Sequence, residues 1–302
     1  MKTLQWSGIK DLKTILPLIK YVYTTDLSFI WFAGGHAART IFFSKLFNKK
    51  SLVIVGGYDV ANVPEIGYGL MTFPKSAIRV KYVLENANKI LTVDDSLKMD
   101  AIKNAGVNGR NIQTIPTGYD CEKFKPGEKK ENLVLTVGNI IDVVVKRKGF
   151  NTFIETARYL PDIEFVLIGK HVDKSIEYLK SIAPSNVKFT GFVSDKELVS
   201  WYQKAKVYCQ LSRYEGLPNA LCEAMLCECV PVGTEYCGIP TAIGNTGFYI
   251  PYGDAKATAE AIREALKSDK GNEARERIKN MFPIERREKE LINIIKEIMN
   301  NI

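Results

Sequence analysis

Nine short apolar runs spaced along 302 residues leave this chain few ways to fold. Four come early: "SFIWFA" (28–33), "SLVIV" (51–55), "KILTV" (89–93) and "NIQTI" (111–115). Five follow: "NLVLTVG" (132–138), "IEFVLIG" (163–169), "NVKFTG" (186–191), "KVYCQL" (206–211) and "CVPVG" (229–233). They are continuously apolar, not alternating, as expected of strands covered by helices on both sheet faces. The segments between them carry the helical period. In "GFNTFIETARYL", Phe150, Phe153, Ile154, Ala157 and Leu160 fall on one face. Strand–helix alternation repeated twice predicts two doubly wound, Rossmann-like α/β domains, and the length suits two separate cores.

The boundary is expected near 120–131, where "IPTGYDCEKFKPGEKKEN" carries two prolines, two glycines and a charged run. This gives a short basic domain over 1–130, a second domain over 131–282 and a terminal amphipathic helix over 283–302 that packs back on the first. No internal repeat or low-complexity tract is present.

Charge is unevenly placed. Residues 1–130 hold 19 Lys+Arg against 11 Asp+Glu, and the remainder hold 23 of each, so the whole net charge of +8 lies in the first part. Such a bias suits an anionic partner, either a phospholipid leaflet or a phosphorylated substrate. Aromatics do not interleave with the lysines, which argues against nucleic acid. No apolar run approaches the roughly 18 residues of a membrane span, and "MKTLQWSGIKDLK" lacks a secretory layout. A cytoplasmic protein, peripheral at the inner face of the membrane, is the expectation. Five of six cysteines (209, 222, 227, 229 and 237) crowd one region, yet none form a C-x-x-C pair and only two histidines exist. Reduced cysteines used as small buried hydrophobes are expected, with no metal site.

No G-x-G-x-x-G or P-loop pattern follows any strand, which counts against a dinucleotide enzyme or an NTPase. "VDDS" (93–96) offers an acidic pair, but Asp94 or Asp95 before "SLKMDAIKNAG" fits a helix N-cap better. The stretch 206–228 is more informative. There a strand leads through "SRYEGLPN" into a helix that tolerates Pro218 in its first turn, and its leading amides are unsatisfied donors suited to phosphate. Gly216 lets a ligand approach the backbone. Glu215 and Glu223, eight positions apart, bracket that helix start. Glu215 alone would merely complement the helix dipole. Glu223, set between "ALC" and "AMLC", is poorly placed for a wholly solvated role. The pair suits a ligand with hydroxyls on either side of a diphosphate, a sugar at one end and a ribose at the other.

"YEGLPNALCEAMLCECVPV" resembles the Glu-seven-residues-Glu motif of the retaining family 4 glycosyltransferases, which have the GT-B fold. "IPTGYDCEKFKP" resembles their interdomain segment. "TVGN…KRKGFNTFIETARYLPDIEFVLIGK", "VKFTGFVSDKELVSWYQKAKVY" and "GIPTAIGNTGFYIPYGD" continue the likeness in order. The resemblance implies two Rossmann-like domains facing a cleft and a retaining, metal-independent transfer of a sugar to a hydroxyl. The donor is a nucleoside-diphosphate sugar and no cofactor is required; the acceptor is a sugar or a lipid-linked molecule. By position, Glu215 is the donor-sugar contact, Glu223 the ribose contact and Lys148 the diphosphate cation. Gly138, Asn139, Gly191, Phe192, Gly216, Leu217 and Asn219 line the donor site.

The chain departs from that pattern in places. Asn139 stands where the family commonly has Arg, and extra residues before "KG" let Arg147 or Lys146 substitute; alternatively both are solvated members of a basic run. In "VIVGGYDV", Gly56 occupies the family's His position, ahead of Gly57, Tyr58 and Asp59 on the acceptor side, and His36 is the alternative catalytic histidine. Thr241 stands where Glu is frequent. The first domain is short compared with the family's, with "SG" at 7–8 as a vestige of its glycine-rich loop. These departures leave two rivals, a catalytically silent sugar-nucleotide-binding subunit and a GT-B epimerase or sugar-phosphate synthase.

Overall fold

The computed structural model describes residues 3–4 and 14–300. The "SG" at 7–8 lies outside the described residues. The chain divides into two compact units, one of residues 1–116 with 288–302 and the other of 117–287.

The first unit is built on a four-stranded parallel sheet in the order β1-β2-β3-β4: Leu27–Trp31, Lys50–Val55, Lys89–Thr92 and Ile112–Thr114. All four runs read from the sequence are strands. Helix α1 (Ile15–Tyr23) precedes β1, and α2 (Gly35–Leu46), α3 (Pro74–Asn86) and α4 (Asp95–Ala105) are the crossovers. Asp94 is the N-cap of α4, its carboxylate accepting from the Ser96 amide at 2.9 Å, and Gly106 ends that helix in the left-handed conformation. Residues 51–55 of β2 are fully buried, which explains why that run contains no alternation.

The second unit carries a six-stranded parallel sheet in the order β10-β9-β8-β5-β6-β7. Its strands are Glu131–Val137 (β5), Glu164–Ile168 (β6), Val187–Gly191 (β7), Ala205–Gln210 (β8), Val230–Thr234 (β9) and Phe248–Ile250 (β10). The sequence reading missed β10, whose three residues are too few to show a pattern against the turn residues around them. Its helices include α5 (Asp142–Lys148), α6 (Phe150–Arg158), α7 (Ser175–Ile182), α8 (Asp195–Lys204) and α9 (Asn219–Leu226). Phe150, Phe153, Ile154 and Ala157 of α6 are buried on Val134, Phe165 and Leu167 of the sheet.

The order reverses between β5 and β8. Chain growth runs outward through β6 and β7 on one side and through β9 and β10 on the other. That switch point leaves a crevice at the strands' C-terminal ends, where open α/β sheets bind ligands.

Residues 117–130 pack as part of the second unit. The Tyr119 amide donates to the Phe282 carbonyl (2.9 Å), Arg275 to that of Phe124 (2.9 Å), and Lys130 to those of Tyr202 and Ala205 (2.9 Å each). The terminal helix Ile284–Asn300 is divided between the units, its residues from Glu288 grouping with the first.

The ends of β5, β6 and β7 are knit together through glycines. Gly138 donates to Ile168, Gly169 donates to Gly191, and a Cβ on Gly169 would lie 1.9 Å from the Gly138 carbonyl oxygen. Gly169→Ala therefore has to pry β5 from β6 at the crevice. A loss of about 2–3 kcal/mol is expected, measured as a fall in melting temperature.

Candidate functional site

At the switch point the chain assembles a dense charged cluster around one carboxylate. Glu215 follows β8 in the loop to α9. Its Oε1 accepts from Arg147 (2.6 Å), Lys148 (3.2 Å), Gln210 Nε2 (3.1 Å) and the Ser212 hydroxyl (3.1 Å). The side chains of Arg147, Lys148 and Glu215 are only 12–14% exposed. Burial by itself would raise the Glu215 carboxyl, but Lys148 and Arg147 outweigh it and hold the group at about 2, from the usual 4.5. Burial also lowers the Lys148 ammonium, against the pull of Glu215.

Both cations come from α5. The four extra residues before "KG" are part of this short helix, which ends at Gly149 in the left-handed conformation. Lys146 points to solvent and pairs with Asp142 at 2.8 Å, whereas Arg147 turns inward, where it also donates to the Tyr214 carbonyl (3.0 Å). Arg147 is thus no solvated member of a basic run; that description fits Lys146 alone. Gly138 gives Lys148 its path, since a Cβ there would stand 2.5 Å from Lys148 Cδ. Asn139 is exposed beyond β5.

Pro218 is the N-cap of α9, just outside its first turn, and no side chain caps the helix. Gly216 and Leu217 are buried in the loop leading into it. Asn219 opens the helix, and its side chain accepts from the Tyr119 hydroxyl at 3.2 Å. Glu223 is partly buried and takes a hydrogen bond from the Tyr202 hydroxyl at 3.1 Å. Burial raises its carboxyl, against that bond and Lys123. The two glutamates are joined through the core of the unit. Tyr202 stacks edge-on with Tyr208 (6.1 Å), Tyr208 donates to Gln210 Oε1 (3.4 Å), and Gln210 reaches Glu215. Gly191 ends β7 at φ +74°, with the Phe192 ring exposed beyond it.

The remaining expected site residues lie in the first unit, at the C-terminal ends of β1 and β2. Asp59 is buried, and its two oxygens accept from the Ala33 and Gly57 amides at 2.9 Å each, latching the two loops together. Burial, only partly offset by those amides, raises its carboxyl. Gly56 stands under the Phe32 ring, where a Cβ would come within 2.5 Å of the ring edge. Phe32 itself holds φ at +68°, uncommon for a bulky residue. Its ring occupies the space a histidine at position 56 would need. Tyr58 is half-exposed and packs edge-on against Tyr68 at 5.1 Å. The His36 ring meets the Trp31 carbonyl through Nε2 at 2.7 Å. A carbonyl only accepts, so Nε2 is the donor in this contact, and in the neutral tautomer that follows Nδ1 is the acceptor.

The Glycosyl transferases group 1 family matches residues 120–281, more than half the chain. The chain belongs to this family. Among curated relatives, it is 28% identical to the capsular polysaccharide biosynthesis glycosyltransferase CapM of Staphylococcus aureus, over 67% of this chain and 61% of that one. It is also 28% identical to the alpha-galactosylglucosyldiacylglycerol synthase of Streptococcus pneumoniae, over 64% and 55% respectively. The chain thus spans between half and two thirds of the length of these relatives. In fold it resembles Anabaena HepE, solved with UDP and glucose, with a TM-score of 0.81, 15% identity, and coverage of 94% of this chain and 82% of that one. The sucrose-phosphate synthase of Thermosynechococcus elongatus gives a TM-score of 0.79 at 18% identity, covering 98% and 81%. The glycosyltransferase GT-B fold is therefore that of this chain.

In this group 1 chain, the sequence reading did not find Gln210, Ser212, Tyr202 or Tyr208. One signal was available for Gln210, an amide at the end of a strand buried from Val207 onward, which needs a partner.

The electrostatics yield a pH test. The Glu215 pKa is depressed in the fold, so its contribution to stability is complete above about pH 4.5 and is lost as pH falls toward 2. Glu215→Gln leaves Arg147 and Lys148 buried without their counter-charge. It is expected to cost about 3 kcal/mol at neutral pH, measured as a fall in denaturant midpoint. The gap from wild type should narrow steadily between pH 4.5 and 2.

Proposed function

We propose that the chain is a retaining glycosyltransferase that moves a hexose-type sugar from a nucleoside diphosphate to a hydroxyl of a sugar or lipid-linked acceptor. One observation carries this reading: two buried cations and one carboxylate share the crevice at the sheet's switch point, at the end of a strand that leads to an uncapped helix start. Anabaena HepE, of the same fold, was solved with UDP-glucose, a donor of the proposed kind.

Arg147, Lys148, Gln210 and Ser212 all bond Oε1 of Glu215, and Oε2 is assigned to a donor-sugar hydroxyl. Arg147 and Lys148 neutralise the diphosphate as it leaves, joined by the Gly216, Leu217 and Asn219 amides at the start of α9. Arg147 takes the place of the family arginine, which is Asn139 here. Glu223, oriented by Tyr202, accepts from the ribose hydroxyls. Gly138, Gly191 and Phe192 border the donor. The acceptor hydroxyl is assigned to the His36, Gly56, Gly57, Tyr58 and Asp59 side, where His36 Nδ1 is the available acceptor. With the leaving charge met by two side-chain cations, the reaction is metal-independent and proceeds from the face the diphosphate vacates. No helix among the described residues is long and apolar enough to cross a membrane, and peripheral attachment at the cytoplasmic face is part of the reading.

Donor turnover tests it. Slow release of nucleoside diphosphate from one of a panel of nucleotide sugars is expected, unchanged by EDTA. Arg147→Ala should lower kcat by roughly 10²–10³, as for loss of one charge-stabilising donor, and Glu215→Ala should abolish it. Binding of a nucleotide sugar without any turnover would support a silent subunit instead. An inverted anomer in the product would overturn the retaining assignment.

A further inference from the structure

The first unit holds a cavity of about 600 Å³ that none of the residues above explain. It is a groove between α2 and α3, with Ile15 of α1 on its border. Its size is within the roughly 300–1,000 Å³ of small-molecule sites. Along α2 the lining residues recur at helical spacing: Gly35, then Ala38 and Arg39, then Phe42 and Phe43. Along α3, Ile78 and Arg79 come before Tyr82. The order is therefore sorted. Small residues stand at the start of α2, two arginines follow one turn in, and aromatic rings come a turn farther on.

The far end is tied off where Lys45 of α2 donates to Asn86 of α3 at 2.5 Å. The other end lies at the start of α2, where Gly35 adjoins His36 and the C-terminal end of β1. The rim is strongly apolar for a surface, with Phe42 55% and Ile78 71% exposed. Charge is one-sided too: the two helices carry Arg39, Lys45, Lys75, Arg79 and Lys81 against Glu85 alone.

We propose that this groove binds the phosphate and first isoprene-like or acyl segment of a lipid-phosphate acceptor. Arg39 and Arg79 hold the phosphate, since guanidinium forks match phosphate oxygens. Phe42, Phe43, Ile78 and Ile15 cover the hydrocarbon. The head group bearing the accepting hydroxyl then emerges at Gly35, beside His36 and the loops latched by Asp59. Neither a uniformly apolar ligand nor a free anion uses both ends of this arrangement. Naming the ligand an acceptor rests on the proposed function; its binding here does not.

Farnesyl phosphate, below its micellar range, is the probe, titrated calorimetrically into the full chain. Saturable binding is expected, at least tenfold tighter than for farnesol, with none for inorganic phosphate. Ile78→Glu replaces an exposed side chain and Arg79→Glu a half-buried one facing the open groove, so both should keep the wild-type melting temperature within about 2 °C and the wild-type affinity for nucleoside diphosphate. Each should weaken farnesyl phosphate at least tenfold. Equal affinity for farnesol and its phosphate would overturn the assignment of the arginines. Unchanged binding by both variants, or no binding by the wild type, would overturn the site. Sedimentation with phosphatidylglycerol vesicles without binding to monomeric farnesyl phosphate would show leaflet attachment and reject the proposal. Failure of donor turnover with farnesyl phosphate binding intact would sink the functional reading and leave this site standing.

Discussion

The second unit turns on how one carboxylate is kept charged out of water. Glu215 is buried at the end of β8, and an isolated carboxylate there would take up a proton. Four donors on one oxygen prevent it, two of them cationic. The dependence runs both ways. Arg147 and Lys148 are adjacent, similarly buried and of like charge, so Glu215 also holds them together. A cluster with excess positive charge in a crevice, anchored through Oε1, has an obvious complement in an anionic ligand that carries hydroxyls. Packing serves the same end. Gly138 has no side chain so that Lys148 can pass, and Gly169 has none so that two strand ends can close.

Much of this fold was legible because parallel strands buried on both faces must be apolar throughout. Nine runs were read on that pattern and all nine are strands, although β1, β4 and β7 are only partly buried. The tenth, Phe248–Ile250, is partly buried along most of its length, and its three residues carry no periodicity. The cysteines also follow from burial: Cys209, Cys222, Cys227 and Cys229 are free, buried thiols, with burial pushing Cys222 and Cys227 up to about 12. Asp94 was legible as a cap because the residue type, the position before an amphipathic segment and the chemistry of unsatisfied amides agree.

The site was legible where a residue's role follows from chain position and obscure where it follows from a side chain's direction. Glu215, Lys148 and Glu223 are placed by the strand–loop–helix they occupy. Arg147 and Lys146 are neighbours with the same charge, and only the turn of α5 decides which one faces inward. Tyr202 and Tyr208 look like ordinary core aromatics in sequence, because a phenol's hydroxyl gives no signal until its partner is known. Gly56 is the clearest case. A glycine where the family has histidine reads as a loss, but the Phe32 ring fills the space above it. The ring that fills it belongs to a residue 24 positions earlier, so the packing at Gly56 is invisible in its own segment.

That packing gives the buried Asp59 its structural role. Phe32 at φ +68° is strained, and such a residue persists only where its surroundings fix it. The Phe32 amide is bound to Ile54 (2.8 Å) and the next amide, of Ala33, to Asp59 (2.9 Å), so the backbone is pinned on both sides of the strained link. The other Asp59 oxygen fixes Gly57. One buried carboxylate thus sets the end of β1 and the end of β2 against each other, and the Phe32 ring is held over Gly56 as a result. The start of α2 follows directly from that loop, so Asp59 also fixes where Gly35 and His36 stand. In each unit a buried acid organises the C-terminal edge of a parallel sheet: Glu215 gathers cations, and Asp59 gathers backbone amides. The first arrangement is charged and suits a charged ligand. The second is internally satisfied, and it acts by fixing the rings and the histidine around it.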